Sequence, residues 1–181
     1  MIWKPKFDME NPTRHRLQKM TLAAVFAGLA VLLSPISFPV GPSRCFPFQH
    51  TVNALSGVVL GPFWACGAAF VSSLIRNIMG TGTILAFPGS LFGALAVGFI
   101  AGLLPGRFRF LAAFSEPAAT ATIGAWVAAL IASSPEGRMA MFGTLSIAFF
   151  LSSAPGSLIG CVLLRLLNSE TRNKQEKENT Y

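Results

Sequence analysis

The sequence predicts an all-α integral membrane protein with six transmembrane helices and both termini in the cytoplasm. Three observations lead there. Of its 181 residues, 52% are hydrophobic and only 12% charged, with mean hydropathy +0.59, whereas a soluble domain carries about 25% charged residues. Between Thr21 and Leu104 the only full charges are Arg44 and Arg76, so a bilayer rather than water is the solvent for that stretch. The basic residues gather in the two tails and one connection, the pattern that orients a multi-spanning chain.

Each span needs roughly 20 apolar residues. Segments 17–35, 84–104, 110–133 and 139–167 meet that length. The basic start, apolar from Thr21 onward, has the outline of a signal peptide. No small-residue cleavage site follows, and many apolar segments do, so it reads as a retained first helix. Region 48–79 would run about 48 Å as one helix, too long for a span. Gly61-Pro62 divides it into 48–60 and 62–79, because proline starts a helix well and disrupts one internally.

Charge tests that division. With six spans and an inside N-terminus, Lys4, Lys6, Arg14, Arg16, Lys19, Arg107, Arg109, Arg165, Arg172, Lys174 and Lys177 lie inside. Arg44, Arg76 and Arg138 lie outside, eleven against three of the 14 basic residues. Five spans would give seven against seven, so the positive-inside rule selects six. The expected organisation is a cytoplasmic tail (1–16), a membrane domain (17–167) and a polar, disordered cytoplasmic tail (168–181). Three connections then converge on the outer side: the loop "SFPVGPSRCFPFQH" (37–50), "GTGT" (80–83) after Arg76-Asn77, and "SSPEGR" (133–138).

The first of these loops is unusually rich. Its prolines restrict the backbone and lower the entropy lost on holding a ligand. Phe46 and Phe48 offer flat apolar faces, while Arg44, Gln49 and His50 supply polar contacts. That combination suits a small-molecule pocket or, alternatively, a stiff plug with no ligand. Asn53 stands within one turn of His50 on a neighbouring face, and Arg76, Asn77 and Thr81 join the candidate set from the second outer connection. Arg76 either snorkels to the surface or serves an inward polar site. Glu116, just before Pro117, pairs with a basic group, stays protonated by burial or caps a broken helix, in a structural or gating role.

Small residues recur four apart: Gly57/Gly61, Gly89/Gly93, Gly98/Gly102 and Gly156/Gly160. Such pairs let helices approach closely in lipid, and intramolecular packing accounts for them. In the first span, Ala23-xxx-Ala27 and Ala24-xxx-Gly28 form a smooth strip that suits either packing or another protein's helix. "PGSLFG" (88–93) and "PGSLIG" (155–160) read as similar local packing rather than duplication.

Several functions are excluded. The +7 net charge forms no basic cluster with interleaved aromatics, so nucleic acid is not the partner. HExxH, GxSxG, paired carboxylates and a phosphate-binding GxxxxGK[ST] are absent, leaving no enzyme signature and no phosphate loop by which to hydrolyse ATP. Cys45, Cys66 and Cys161 have no metal spacing, and no metal or cofactor is expected. Without a membrane-buried aspartate or a charge relay to couple ions, a separate engine is the better energy source for any uphill transport.

The stretches "FPVGPSRCFPFQHTVNALSGVVLGPFWA" and "SLIRNIMGTGTILAFPGSLFGAL" resemble the ThiW family, substrate-binding (S) components of energy-coupling factor transporters associated with thiamine precursors. The resemblance runs from span one to span six and is densest over 38–95. It implies a six-helix S-component bundle in a prokaryotic plasma membrane, with a ligand site under the first outer loop. The implied ligand is hydroxyethylthiazole or a relative. The implied partners are a transmembrane coupling protein, docked on the strip mapping to Ala23, Ala24, Ala27 and Gly28, and two cytoplasmic ATPases. Rival readings are an S component for thiamine or another small vitamin-like ligand and a non-transport membrane scaffold.

Overall fold

The computed structural model describes residues 11–40 and 43–178. Its helices form six rods. Helix α1 is Pro12–Leu32, α2 Pro47–Leu60, α3 Pro62–Ile78, α4 Ala86–Leu103, α5 Gly106–Ala132 and α6 Arg138–Glu178. Three of them, α4, α5 and the Arg138–Glu170 part of α6, are long and apolar enough to cross a membrane. Between α1 and α2 the chain forms two short strands, β1 (Phe38–Val40) and β2 (Ser43–Cys45), paired antiparallel with Phe38 opposite Cys45. The all-α expectation missed this ribbon, because three residues per strand are too few for alternation to register.

Sequence accounts for the helix ends. The side chain of Asn11 caps α1 by accepting from the backbone N–H of Thr13 and Arg14 at 3.1 and 3.2 Å, with Pro12 at the first helical position. Gly61 breaks the 48–79 region as its Gly-Pro step implies. Its φ of 85° is left-handed and favours glycine, and Pro62 opens α3. Pro117 lacks the N–H that would bond the Ala113 carbonyl. The chain of α5 is a 3₁₀ helix over Gly106–Phe114 and α-helical from Ser115, with a π-turn at Thr120–Gly124.

Helix α2 is the axis of the bundle. Eleven of its 14 residues are buried, and it packs against α1, α3, α4 and α6. At about 1.5 Å per residue it is near 21 Å long, shorter than a hydrocarbon core of about 30 Å. Enclosed by its neighbours, it carries Gln49, His50, Thr51, Asn53 and Ser56, all buried. Helix α3 buries Ala65, Ala68, Ala69, Ser72, Ser73 and Arg76, a stripe at helical spacing, and exposes Phe63, Phe70, Leu74 and Ile78.

The glycines set how closely the rods approach. A Cβ on Gly57 would lie 2.7 Å from the Val97 side chain, and one on Gly160 would lie 2.8 Å from that of Ala54. One on Gly98 would meet the Pro62 backbone, and one on Gly156 the carbonyl oxygen of Pro47. These are intramolecular contacts, and the core they create is correspondingly rich in alanine. Such close packing, rather than burial from water, is what holds helices together in lipid. Helix α6 continues through Glu178, so residues 168–178 are helical where a disordered tail was expected. The Glu, Lys, Gln and Arg of that segment are good helix formers.

Candidate functional site

At one end of the bundle the β1–β2 ribbon, the 79–85 connection and the 133–137 connection surround a cavity of about 910 Å³. Its floor is the first turn of α2. Pro47 starts that helix, and the hydroxyl of Ser152 on α6 accepts from the Phe46 N–H at 2.7 Å. Phe46, Gln49 and His50 thereby reach the cavity. One wall is the N-terminal part of α4 (Leu85, Ala86, Gly89, Ser90). Another is the apolar face of α6 (Met141, Leu145, Ala148, Phe149), with Thr144 as a polar point. Arg44 of β2 and Arg76 of α3 complete the lining with Gly80 to Thr83.

Beneath the floor lies a polar network centred on Glu116, which is fully buried. The ring Nδ1 of His50 is 2.6 Å from its Oε1. Asn53 Nδ2 and Thr120 Oγ1 donate to the same oxygen at 3.4 and 3.2 Å, and Ser157 Oγ donates to Oε2 at 3.3 Å. Asn53 also donates to the Ser90 carbonyl at 3.3 Å, and the Gln49 amide donates to the Ser90 hydroxyl. The carboxylate thus ties α2 to α5 and α6, and Asn53 and Gln49 tie α2 to α4. With Nδ1 engaged by Glu116, Nε2 is the ring nitrogen left for other partners. Gly93 makes room for the network, since a Cβ there would fall 2.5 Å from both Glu116 Oε1 and Thr120 Oγ1.

Arg76 does not snorkel. It is fully buried, and its guanidinium stacks on the Phe46 ring at 4.1 Å from the centroid. Its carbonyl accepts from the N–H of Thr81 and Gly82 at 2.9 and 3.0 Å, folding the 79–85 connection back over it.

Of the residues expected in the site, Arg44, Phe46, Gln49, His50, Arg76 and Thr81 line the cavity; Phe48, Asn53 and Asn77 do not. Asn53 lies one layer below. Asn77 donates to the Ser73 and Thr83 carbonyls at 2.8 and 3.0 Å, bracing the connection. Ser90, Thr144 and Ser152 line the cavity without having been singled out. The available signal was the repeated "PGS": Ser90 and Ser157 both face the polar centre, one bonded to Gln49 and one to Glu116. The strip on α1 divides. Ala23 and Ala27 are buried beside Leu60 and Ala68, while Ala24 is exposed and a Cβ on Gly28 would meet nothing within 4 Å.

A mostly apolar, preformed cavity with a few placed polar groups is the form of a small-molecule binding site. Comparison with known proteins decides its class: residues 20–170 match the family model of the thiamine-precursor transporter protein ThiW. The chain belongs to the ThiW family. It is therefore a membrane transporter of thiamine precursors and not an enzyme. Neither a curated protein nor a solved structure matches it.

Proposed function

We propose that this ThiW-family chain is the substrate-capture subunit of an energy-coupling factor importer for the thiazole half of thiamine, hydroxyethylthiazole or a close relative. The observation that carries the reading is the 910 Å³ cavity at one end of the bundle, in a chain matching ThiW over 20–170. A flat heterocycle suits its Phe46, Met141 and Phe149 surfaces, and a hydroxyl suits the Gln49, Ser90 and His50 floor. Thiamine itself carries a permanent positive charge on its thiazolium ring. A lining with two arginines and, among the described residues, no carboxylate disfavours it.

In this reading all six rods lie in the prokaryotic plasma membrane with both termini cytoplasmic, and the cavity opens outward. Basic residues support that orientation, lying mainly at the opposite end. The short α2 is accommodated by protein rather than lipid. Energy comes from a transmembrane coupling protein and two ATPases. The Ala24–Gly28 track of α1 is the docking strip open in this conformation, Ala23 and Ala27 being packed inward. Residues 17–167 form the membrane domain, flanked by the 1–16 and 168–181 cytoplasmic segments.

The test is uptake of labelled hydroxyethylthiazole by cells producing the chain with a coupling protein and its ATPases. ATP-dependent accumulation is expected, and the ATPase subunits should co-purify with the chain. Accumulation unchanged by inactivating the ATPases would contradict the energised mechanism.

A further inference from the structure

We infer that the cavity takes its substrate in an anion-bearing form, a small heterocycle carrying a phosphate monoester or carboxylate whose oxygens sit on Arg76. This rests on the reading of the cavity as the substrate site and specifies the chemical class that enters it. Arg76 lines the cavity and is fully buried, yet Nε, Nη1 and Nη2 have no hydrogen-bond partner among the described residues. A buried guanidinium left without partners is strongly unfavourable. A site that retains one has a use for its five donors, which in a planar fork match two oxygens of a phosphate or carboxylate.

The surroundings hold the fork ready rather than neutralise it. Phe46 covers one face of the guanidinium, leaving the in-plane N–H groups for a ligand. The 79–85 connection closes behind it: a Cβ on Gly82 would lie 3.2 Å from Arg76 Cβ. Among the described residues no carboxylate lines the cavity. Glu116 lies below the floor, occupied by four donors. Glu136, in the 133–137 connection, is exposed and hydrogen-bonded to Ser134. Arg44, exposed on β2, adds a second positive charge to the lining. The field inside the cavity is therefore positive with no internal counter-charge, which attracts anions and repels cations.

The experiment is calorimetric titration of the purified full-length protein in neutral detergent with four probes: hydroxyethylthiazole, its phosphate monoester, the corresponding thiazole acetate, and phenyl phosphate. The phosphate ester should bind about 10- to 100-fold tighter than the alcohol, the range for charge-assisted hydrogen bonds, with the acetate between them. In Arg76→Met the ester-to-alcohol ratio should fall to about one, and Arg76→Lys should recover part of it. The wild-type comparison stands even if a variant fails to fold. Equal binding of ester and alcohol would overturn the anion site and leave the thiazole reading intact. Phenyl phosphate binding lost in Arg76→Met, with no thiazole bound, would do the reverse. Ester preference unchanged in Arg76→Met, no binding of any anion, or stronger competition by short-chain phosphatidylglycerol than by the ester would each overturn the inference.

Discussion

Replacing Glu116 with leucine removes the acceptor that four side chains share. The consequences differ by donor. Ser157 and Thr120 carry hydroxyls that can turn to carbonyls of their own helices, and Asn53 keeps its bond to the Ser90 carbonyl at 3.3 Å. The His50 ring, 2.6 Å from Glu116 and buried, loses its Nδ1 partner outright. Breaking one side of a buried pair of this kind costs about 3–5 kcal/mol. At roughly 2–4 °C per kcal/mol for a chain of this length, Glu116→Leu should lower the melting temperature in detergent by roughly 6–20 °C. Glu116→Gln keeps one carbonyl oxygen for His50 and offers an amide to the Ser157 hydroxyl, so about 1–2 kcal/mol is expected. The decisive assay is a thermal double-mutant cycle with His50→Leu, in which the two effects should be sub-additive by about 0.5–3 kcal/mol. Additivity, or a Glu116→Leu protein melting within 2 °C of wild type (less than about 1 kcal/mol), would refute the network as a structural tie.

Further outcomes follow from the packing. Gly156→Ala places a Cβ against the Pro47 carbonyl and 2.8 Å from His50 Cβ, and should destabilise by about 1–3 kcal/mol or more. Gly102→Ala, with nothing within 4 Å, should be neutral or stabilise by up to about 1 kcal/mol; melting curves of the pair test both. On α1, Ala24→Trp and Gly28→Trp should leave ligand binding intact while reducing uptake and co-purification of the ATPases. Ala23→Trp and Ala27→Trp should instead lower stability, because both alanines are packed beside Leu60 and Ala68. Ser152→Ala removes the acceptor for the Phe46 N–H and should weaken ligand binding by about tenfold or less, read by titration.

Local signals carried much of the fold. The Gly61-Pro62 step is a backbone event and was legible as one, as were the long apolar stretches of α4, α5 and α6. The site was harder to read. His50 and Glu116 are 66 residues apart, and periodicity says which face a residue occupies but not which helix meets it. Arg76 had two destinations equally compatible with sequence, the surface and the interior. Its full burial and its stacking on Phe46, a residue 30 positions away, place it in the interior. Ser90, Ser152 and Ser157 went unremarked because serine is common in membrane helices and often bonds its own backbone. The glycines of "PGSLFG" and "PGSLIG" were correctly read as packing positions, but the serines beside them belong to the polar centre. On α1, hydropathy could not separate the Ala23–Ala27 track from the Ala24–Gly28 track, since the four residues are alike in size and differ only in what lies opposite.

The most direct test of the account is equilibrium titration of thiazole precursors into wild-type protein and into Thr144→Trp. Thr144 lines the cavity yet is exposed and bonds its own helix carbonyl at Ala140, so an indole there should occupy part of the space without disturbing the network below. The account predicts saturable one-to-one binding to wild type, weakened in a Thr144→Trp protein of unchanged melting temperature. Undiminished affinity in the plugged variant, or no binding of any thiamine precursor by folded wild type, would contradict it.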